Sequence, residues 1–233
     1  VTASKTALVT GASRGIGLAT ARALAPDHHL ILGGRDPRAL SELAASFPSA
    51  EPFAVDLTDE AALSEAVAAL DLPGGLDALV HSAGVLVSGG VEDLSAQDWE
   101  RNWAVNVTAV SELTRLLLPA LRQARGTVVA INSGSGYSAK PFRGAYSASK
   151  FALRAWTDAL RQEEAGRGVR VSSVHPGRTD TDMQHELRAA EGGAYEAGTY
   201  MRPQSVASAV AFAVRAPADA TVATIDIRPV SRA

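Results

Sequence analysis

The sequence predicts an α/β protein, a Rossmann-type doubly wound parallel sheet of seven strands with helices on both faces. Two observations carry this reading. Short apolar runs alternate with helical patterns along the chain, the order expected of parallel strands joined by crossover helices. The first run, Thr6 to Thr10, opens directly into Gly11-Ala12-Ser13-Arg14-Gly15-Ile16-Gly17. Side-chain-free positions there let backbone N–H groups approach an anion at the positive end of the following helix. With 233 residues, 46% hydrophobic and 20% charged, the chain can bury a sizeable core. No repeat, low-complexity tract or linker divides it, so one domain over residues 1–233 is expected.

The elements follow in order. The helix after the glycine turn runs to about Ala25, before Pro26. A second strand, His29 to Gly33, leads into Gly34-Arg35-Asp36-Pro37. Asp36 before Pro37 reads as a helix N-cap with proline in the first turn, or alternatively as an acid for a ribose. Arg35 and Arg14 suit a phosphate, which guanidiniums bind in pairs of hydrogen bonds. Pro52 to Val55 is a third strand, after which Asp56 is either a turn residue or a contact to an adenine amino group. Thr58 or Asp59 caps a helix to Leu70. Leu76 to His81 is a fourth strand, opening into Ser82-Ala83-Gly84 and a loop to about Leu94.

Ser95 with Asp98 forms a capping box. The helix beyond carries Trp99, Trp103, Val107 and Val110, expected as a buried stripe, and Asn106 interrupts it as a satisfied buried amide or a site residue. Thr127 to Asn132 is a fifth strand, apolar on both faces, with Ser133 at its C-terminal end, where open α/β sheets bind ligands. Tyr146 to Glu164 is helical and apolar on more than one side, which predicts burial by a partner subunit as well as by the sheet. Val169 to Val174 is a sixth strand ending at His175-Pro176-Gly177. Residues 177–203 form a lid with one short helix over about Thr181 to Ala190. A helix from Pro203 to about Ala216 and a strand from Val222 to Arg228 close the chain.

Composition excludes several classes. The chain has no cysteine, hence no disulfide framework, thiolate metal site or thiol nucleophile. A net charge of -3 without long basic runs argues against nucleic acid as a partner. Val1 to Gly17 lacks a basic segment followed by a long apolar one, so a soluble, cytoplasmic protein is expected, with no membrane partner. His28-His29 are adjacent rather than a turn apart, and His185-Glu186 starts no zinc motif, so no metal is expected. Glu163 and Glu164 point to different sides of a helix. Ser133 and His175 lack the strand-to-helix elbow of a serine hydrolase.

Tyr146 and Lys150 stand four residues apart, on one helix face. A lysine beside a tyrosine favours the phenolate and is expected to lower a phenol pKa of about 10, although the same spacing also occurs on solvated helices.

The ordered set Thr10-Gly11-x-x-x-Gly15-x-Gly17, Asp56, Ala83-Gly84, Asn106, Ser133, Tyr146-x-x-x-Lys150 and Pro176-Gly177 with Thr181 resembles the short-chain dehydrogenase/reductase family, in its non-extended branch, over nearly the whole chain. The resemblance implies a carbonyl reductase or alcohol dehydrogenase that prefers NADP(H). Tyr146 would be the general acid and base, and Ser133 would hold the substrate oxygen. Lys150 would lower the tyrosine pKa and bind the nicotinamide ribose, and Asn106 would position a proton-relaying water. The cofactor would lie along Gly11, Ser13, Arg14, Gly15, Ile16 and Gly17, then Arg35, Asp56, Leu57, Ala83 and Gly84. Tyr146, Lys150, Pro176, Gly177, Thr179 and Thr181 would complete its site.

A homo-oligomer, dimer or tetramer, is expected through helices near residues 98–122 and 146–164. Ser82 replaces an asparagine common in the family, and Ile225-Asp226-Ile227-Arg228-Pro229 replaces its usual Asp-Gly-Gly tail, which puts tail-mediated tetramer contacts in doubt. A nucleotide-sensing regulator with the same fold and little turnover is the alternative. The lid offers Met183, His185, Leu187, Tyr195, Tyr200 and Met201 beside Glu186, Arg188 and Glu191, a mixed pocket that selects no substrate.

Overall fold

The computed structural model describes residues 5–230; residues 1–4 and 231–233 of the expected domain lie outside them. Its strands are β1 (Lys5–Val9), β2 (His28–Gly34), β3 (Ala50–Ala54), β4 (Ala78–His81), β5 (Thr127–Ile131), β6 (Arg170–Pro176) and β7 (Thr224–Ile227). They form one seven-stranded sheet in the order β3-β2-β1-β4-β5-β6-β7. Every neighbouring pair is parallel. The order reverses between β1 and β4, the switch point where such sheets open a crevice beyond their strand ends.

The strands are apolar on both faces because both are covered. Ala7, Val9, Leu30 and Leu32 point to one core and Leu8 and Ile31 to the other, the two-residue alternation of a strand. The first core is closed by α1 (Gly15–Leu24), α2 (Pro37–Ala44) and α8 (Pro203–Val214) through Leu24, Leu40, Val206 and Val210. The second is closed by α3 (Glu60–Ala68), α5 (Ala109–Ala124) and α6 (Gly144–Glu164) through Leu63, Leu113, Leu117, Leu121 and Leu160. Each large aliphatic side chain so buried contributes about 1.5–3 kcal/mol.

The helix starts follow local chemistry. Asp36 caps α2, its carboxylate accepting from Arg38 and Ala39 N–H at 3.0 and 3.1 Å. Asp59 caps α3 through Ala62 N–H at 3.0 Å, while Thr58 is tied to Asp56 instead. Ser95 and Asp98 form the expected reciprocal box on α4 (Ala96–Trp103).

One expectation is overturned on that helix. Trp99 and Trp103 are not buried: they are 43% and 48% exposed. Between α4 and α5 lies a five-residue π-turn, Ala104–Thr108. Such a turn shifts the phase of the side chains, and the face turned inward carries Asn102 and Asn106 rather than the tryptophans. The stretch Ala96–Ala124 is long and apolar enough to match a membrane span by length and composition, but Leu113, Leu117 and Leu121 are sealed against the sheet.

The far ends of α5 and α6 are joined by charge. Glu164, its side chain only 2% exposed, accepts from Arg122 at 2.9 and 2.7 Å and from Arg167 at 3.0 Å. The Arg122 hydrogen bond leads the effects that hold its carboxyl below the usual range. A carboxylate with a depressed folded pKa stabilises the fold above its unfolded pKa of about 4.3, and that contribution fades as pH falls through the folded value. Arg122→Ala should therefore cost about 1–3 kcal/mol at neutral pH, since Arg122 is partly exposed and Arg167 remains. Urea denaturation should show this deficit narrowing as the pH is lowered well below 4.3.

Candidate active site

The strand ends converge on a cavity of about 810 Å³. At its start, Gly11 follows β1 with φ +63°, a left-handed conformation that favours glycine. A Cβ on Gly17 would sit 2.1 Å from the Gly11 carbonyl oxygen, so turn and helix meet only because position 17 lacks a side chain. Unlike α2, α3 and α4, α1 begins with no side-chain cap and no acid in its first turn. Its N-terminal N–H groups are thus free to receive an anion. The turn is held to the sheet by Ala12 N–H donating to Gly33 O at 2.9 Å. The Thr10 hydroxyl oxygen accepts from both Ser82 and Ala83 N–H at 3.0 Å.

The other expected cofactor residues lie along the same edge. Ser13 and Arg14 are exposed on the turn, and Ile16 lines the cavity. Arg14 Nη1 is 2.9 Å from Asp182 of the lid, and a Cβ on Gly15 would lie 3.4 Å from the Thr181 methyl group, so the glycine turn abuts the lid. Arg35 is exposed beyond β2. Asp56 is a turn residue, its Oδ1 accepting from Thr58 N–H at 3.0 Å and from the Thr58 hydroxyl at 2.7 Å. These two bonds lead the lowering of its pKa, and Arg35 adds to it. Leu57 beside it packs on the second core.

Ala83, Gly84, Ser133, Tyr146, Lys150, Pro176, Gly177, Thr179 and Thr181 all line the cavity. Ser133 sits just past β5 in extended conformation and its Oγ accepts from Ser135 N–H at 3.1 Å. Asn132 Oδ1 accepts from Ser133 N–H at 2.9 Å. His175 accounts for the rest of that support. The Ser133 carbonyl can only accept, so His175 Nδ1 donates to it at 3.1 Å, and Nε2 accepts from the Ser173 hydroxyl at 2.8 Å. Burial keeps this imidazole neutral, and Tyr137 stacks on it at 4.3 Å.

Lys150 is buried, donates to Ile131 O at 3.0 Å, and has its Nζ 5.8 Å from the centre of the Tyr146 ring. Desolvation lowers its pKa to about 8. The expectation that Lys150 by itself depresses the Tyr146 pKa is overturned in the protein alone. Burial of the phenol pushes its pKa up, outweighing the Ser133 hydroxyl and the Arg143 charge, which pull it down.

Asn106, inside the π-turn, commits both amide protons, to Val85 O at 2.9 Å and Ser149 Oγ at 3.0 Å, and accepts from Val85 N–H at 3.0 Å. The Ser149 hydroxyl in turn donates to Tyr146 O at 2.8 Å. Asn106 thereby links the β4 loop to the turn of α6 that carries both Tyr146 and Lys150. A Cβ on Gly84 would lie 3.3 Å from Asn106 Oδ1 and 3.9 Å from Lys150 Nζ, so a bare Gly84 lets these groups gather. Asn102 repeats the device on Val87. His81, by contrast, stays outside the cavity lining: its Nε2 donates to the Thr114 hydroxyl at 2.8 Å and burial drops its pKa to about 3.

The lid spans 177–203, with α7 (Asp182–Ala190) capped by Thr181 and a short 3-10 turn, Ala197–Thr199. Its ends are clipped together by Asp180 N–H to Met201 O at 2.8 Å and Met201 N–H to Arg178 O at 3.1 Å. Met183, Leu187 and Tyr200 line the cavity, whereas His185 stacks on Tyr195 at 3.5 Å and the Tyr195 hydroxyl donates to Asp180. Arg143, Arg178, Arg228 and Pro229 also line the cavity without having been singled out from sequence. Arg143 and Arg178 adjoin the motif residues. Arg228 arrives from β7, a long-range return that no local pattern marks.

A model of the short chain dehydrogenase family matches residues 5–192. The chain is 32% identical over 230 residues to an uncharacterized oxidoreductase of Staphylococcus epidermidis, covering 97% of each. It is 37% identical over 236 residues to the glycine betaine reductase of Emericella nidulans, covering 97% of this chain and 19% of that protein's length. Among solved structures, an alcohol dehydrogenase from the archaeon Thermococcus sibiricus complexed with 5-hydroxy-NADP superposes with a TM-score of 0.88 at 27% identity, covering 98% of both chains.

The chain has only Lys5, Lys140 and Lys150, which makes the buried amine observable. After reductive methylation with labelled formaldehyde, one lysine signal should titrate near pH 8 and vanish in Lys150→Met. The ordinary lysine value is about 10.4. A Lys150 signal at the ordinary value would contradict the burial described here.

Proposed function

The chain belongs to the short-chain dehydrogenase family and is an oxidoreductase; from that premise we propose that it transfers a hydride between NADP(H) and a carbonyl or alcohol substrate, with Tyr146 as general acid and base. The observation that carries this reading is that a buried phenol, the Ser133 hydroxyl and the buried Lys150 amine line one cavity beside a glycine turn with an uncapped helix N-terminus. NADPH, when bound, supplies the hydride.

The chain's residues do the rest. Gly11 to Gly17 and the start of α1 receive the pyrophosphate, and Arg14 and Arg35 receive the 2′-phosphate, Arg14 exchanging Asp182 for it. Asp56 and Leu57 border the adenine. Ala83, Gly84, Pro176, Gly177, Thr179 and Thr181 line the remaining path. In reduction, negative charge grows on the carbonyl oxygen, and Ser133 Oγ and Tyr146 Oη both donate to it. These fixed donors stabilise that charge most in the transition state. Tyr146 gives up its proton there, and the Lys150 ammonium opposes the charge left on the phenolate. Asn106 holds the helix turn that carries both groups, and His175 holds the Ser133 backbone. In oxidation the phenolate takes the proton back.

The family reading extends to self-association. Trp99, Trp103 and Phe151 are exposed on α4 and α6, and these helices pack beside each other. We assign this apolar face to a second copy of the chain.

Tyr146→Phe should lower kcat by at least about a hundredfold, the scale of a general acid's contribution, while NADPH affinity, followed by fluorescence titration, stays within a few-fold of the parent. Substantial residual turnover would remove Tyr146 from the role. Arg35→Ala should weaken NADPH binding by about ten- to a hundredfold, the worth of hydrogen bonds to a charged group, and leave NADH binding nearly unchanged; a parent that prefers NADH would contradict the assignment. Light scattering should give at least twice the 24.1 kDa of one chain, and Trp99→Glu with Trp103→Glu should shift it toward a monomer.

A further inference from the structure

Glu191, immediately after α7, draws three guanidiniums to a single carboxylate. Arg143, the residue before α6, donates to its Oε1; Arg178, next to Gly177, donates at 3.2 and 3.1 Å to the two oxygens; and Arg188 donates to Oε2 at 2.8 Å. All three arginines line the cavity that holds Ser133 and Tyr146. Glu196 and Lys140 also line this cavity, so Lys140 and the three arginines outnumber Glu196 and Glu191 by four to two. Arg228 is balanced by Asp226 at 2.8 Å.

This cluster leaves positive charge in excess in the cavity that holds the reacting groups. The most telling member is Arg143. Its side chain is only 11% exposed, and among the described residues Glu191 is its one acidic partner. It precedes Tyr146 by three residues, about one helical turn, and its charge reaches the phenol, where it pulls against the effect of burial. It therefore stands at the end of the cavity where the substrate reacts. The cofactor's phosphates have other arginines: Arg14 and Arg35 follow β1 and β2, while Arg143 and Arg178 follow β5 and β6, across the sheet order from them.

We propose that Arg143 and Arg178 form an anion subsite for the substrate, which is an oxo acid or its hydroxy acid, and that the substrate carboxylate takes the position Glu191 now fills. The inference rests on the hydride-transfer reading above and supplies the substrate class it lacks. A carboxylate rather than a phosphate is indicated because the guanidiniums are already arranged around a carboxylate, with Arg178 spanning both of its oxygens, a geometry that another carboxylate reproduces. Replacing Glu191 by the substrate's own anion exchanges like for like. The guanidiniums keep their partners, and the lid segment bearing Glu191 is released from α6. The chemistry is balanced as ordinary reduction: hydride adds to the oxo carbon, Tyr146 supplies the proton to its oxygen, and the carboxylate is unchanged.

The test compares short-chain α- and β-oxo acids with their primary amides, each pair sharing one skeleton, by NADPH absorbance with the full chain. A panel of simple ketones and aldehydes is run alongside. The acid should exceed its amide in kcat/KM by at least about tenfold, the worth of a hydrogen bond to a charged group. Arg143→Gln and Arg178→Gln should each erode that ratio, mainly through a raised KM for the acid, and Arg143→Lys should restore part of it. Glu191→Gln, which removes the competing charge, should lower KM for the acid. Near-ultraviolet circular dichroism identifies any variant that fails to fold, and the remaining variants then decide. An amide used as readily as its acid, or an acid preference that survives in both glutamine variants, would overturn the subsite and leave the carbonyl-reductase reading standing. No NADPH consumption with any oxo acid, amide, ketone or aldehyde would overturn that reading itself, and the subsite with it.

Discussion

An amine and a phenol buried together are the constraint around which this molecule is arranged. Lys150 and Tyr146 are both nearly removed from solvent, and water that would stabilise their charged forms is excluded. Burial accordingly drives the lysine toward neutrality and the tyrosine away from ionisation. Such a pair is tolerated only where the surrounding backbone is fixed, and here it is fixed from three directions. The end of β5 offers the Ile131 carbonyl to the ammonium. The π-turn sets Asn106 against both Val85 and Ser149. His175 and Asn132 hold Ser133 from either side of its peptide. A parallel sheet makes this possible, since all of its strands end at one edge.

The other half of the edge is organised by what it leaves unmade. Helices α2, α3, α4 and α7 each begin on a capping side chain; α1, α6 and α8 do not, and of these α1 is the one that follows the glycine turn. Free N–H groups at a helix start are stabilised by an anion, and the glycine turn brings them close enough for one. Arg14 links this end to the lid through Asp182, and Glu191 links the lid to α6 through Arg143. Helix α7 of the lid is therefore fastened at both of its ends by ion pairs whose arginines have anionic ligands in the proposed reaction. Ligand binding and lid position share the same guanidiniums, a coupling that needs no additional device.

Much of this was legible in the sequence because it depends on local pattern. The seven apolar runs became the seven strands, with boundaries moved by a few residues. The caps at Asp36, Asp59 and Ser95 were readable because a short polar side chain before a helix has few other uses. The ordered motif placed Ser133, Tyr146 and Lys150 on one wall because strand-end positions in a parallel sheet converge. What escaped depends on context. Trp99 and Trp103 fit a helical stripe, but the π-turn rotates that stripe outward, and no residue in Ala104–Thr108 announces the extra backbone step. Spacing alone suggested that Lys150 would acidify Tyr146; it could not weigh the desolvation that raises the phenol pKa. Glu191 lies in the sequence 48 residues from Arg143, so their meeting, like the arrival of Arg228 from β7, is a product of the fold.

In the proposed mechanism Tyr146 carries the proton, and the bound cofactor with Lys150 must offset the burial that raises its pKa. Ultraviolet difference titration of the NADP+ complex, wild type minus Tyr146→Phe, measures that phenol directly among the four tyrosines of the chain. A bound nicotinamide cation would add to the charge of Lys150, so the phenolate band should grow in at a pH clearly below the ordinary phenol value of about 10 and shift upward in Lys150→Met. A difference spectrum with no ionisation until above that value, in the complex as in the protein alone, would contradict the account.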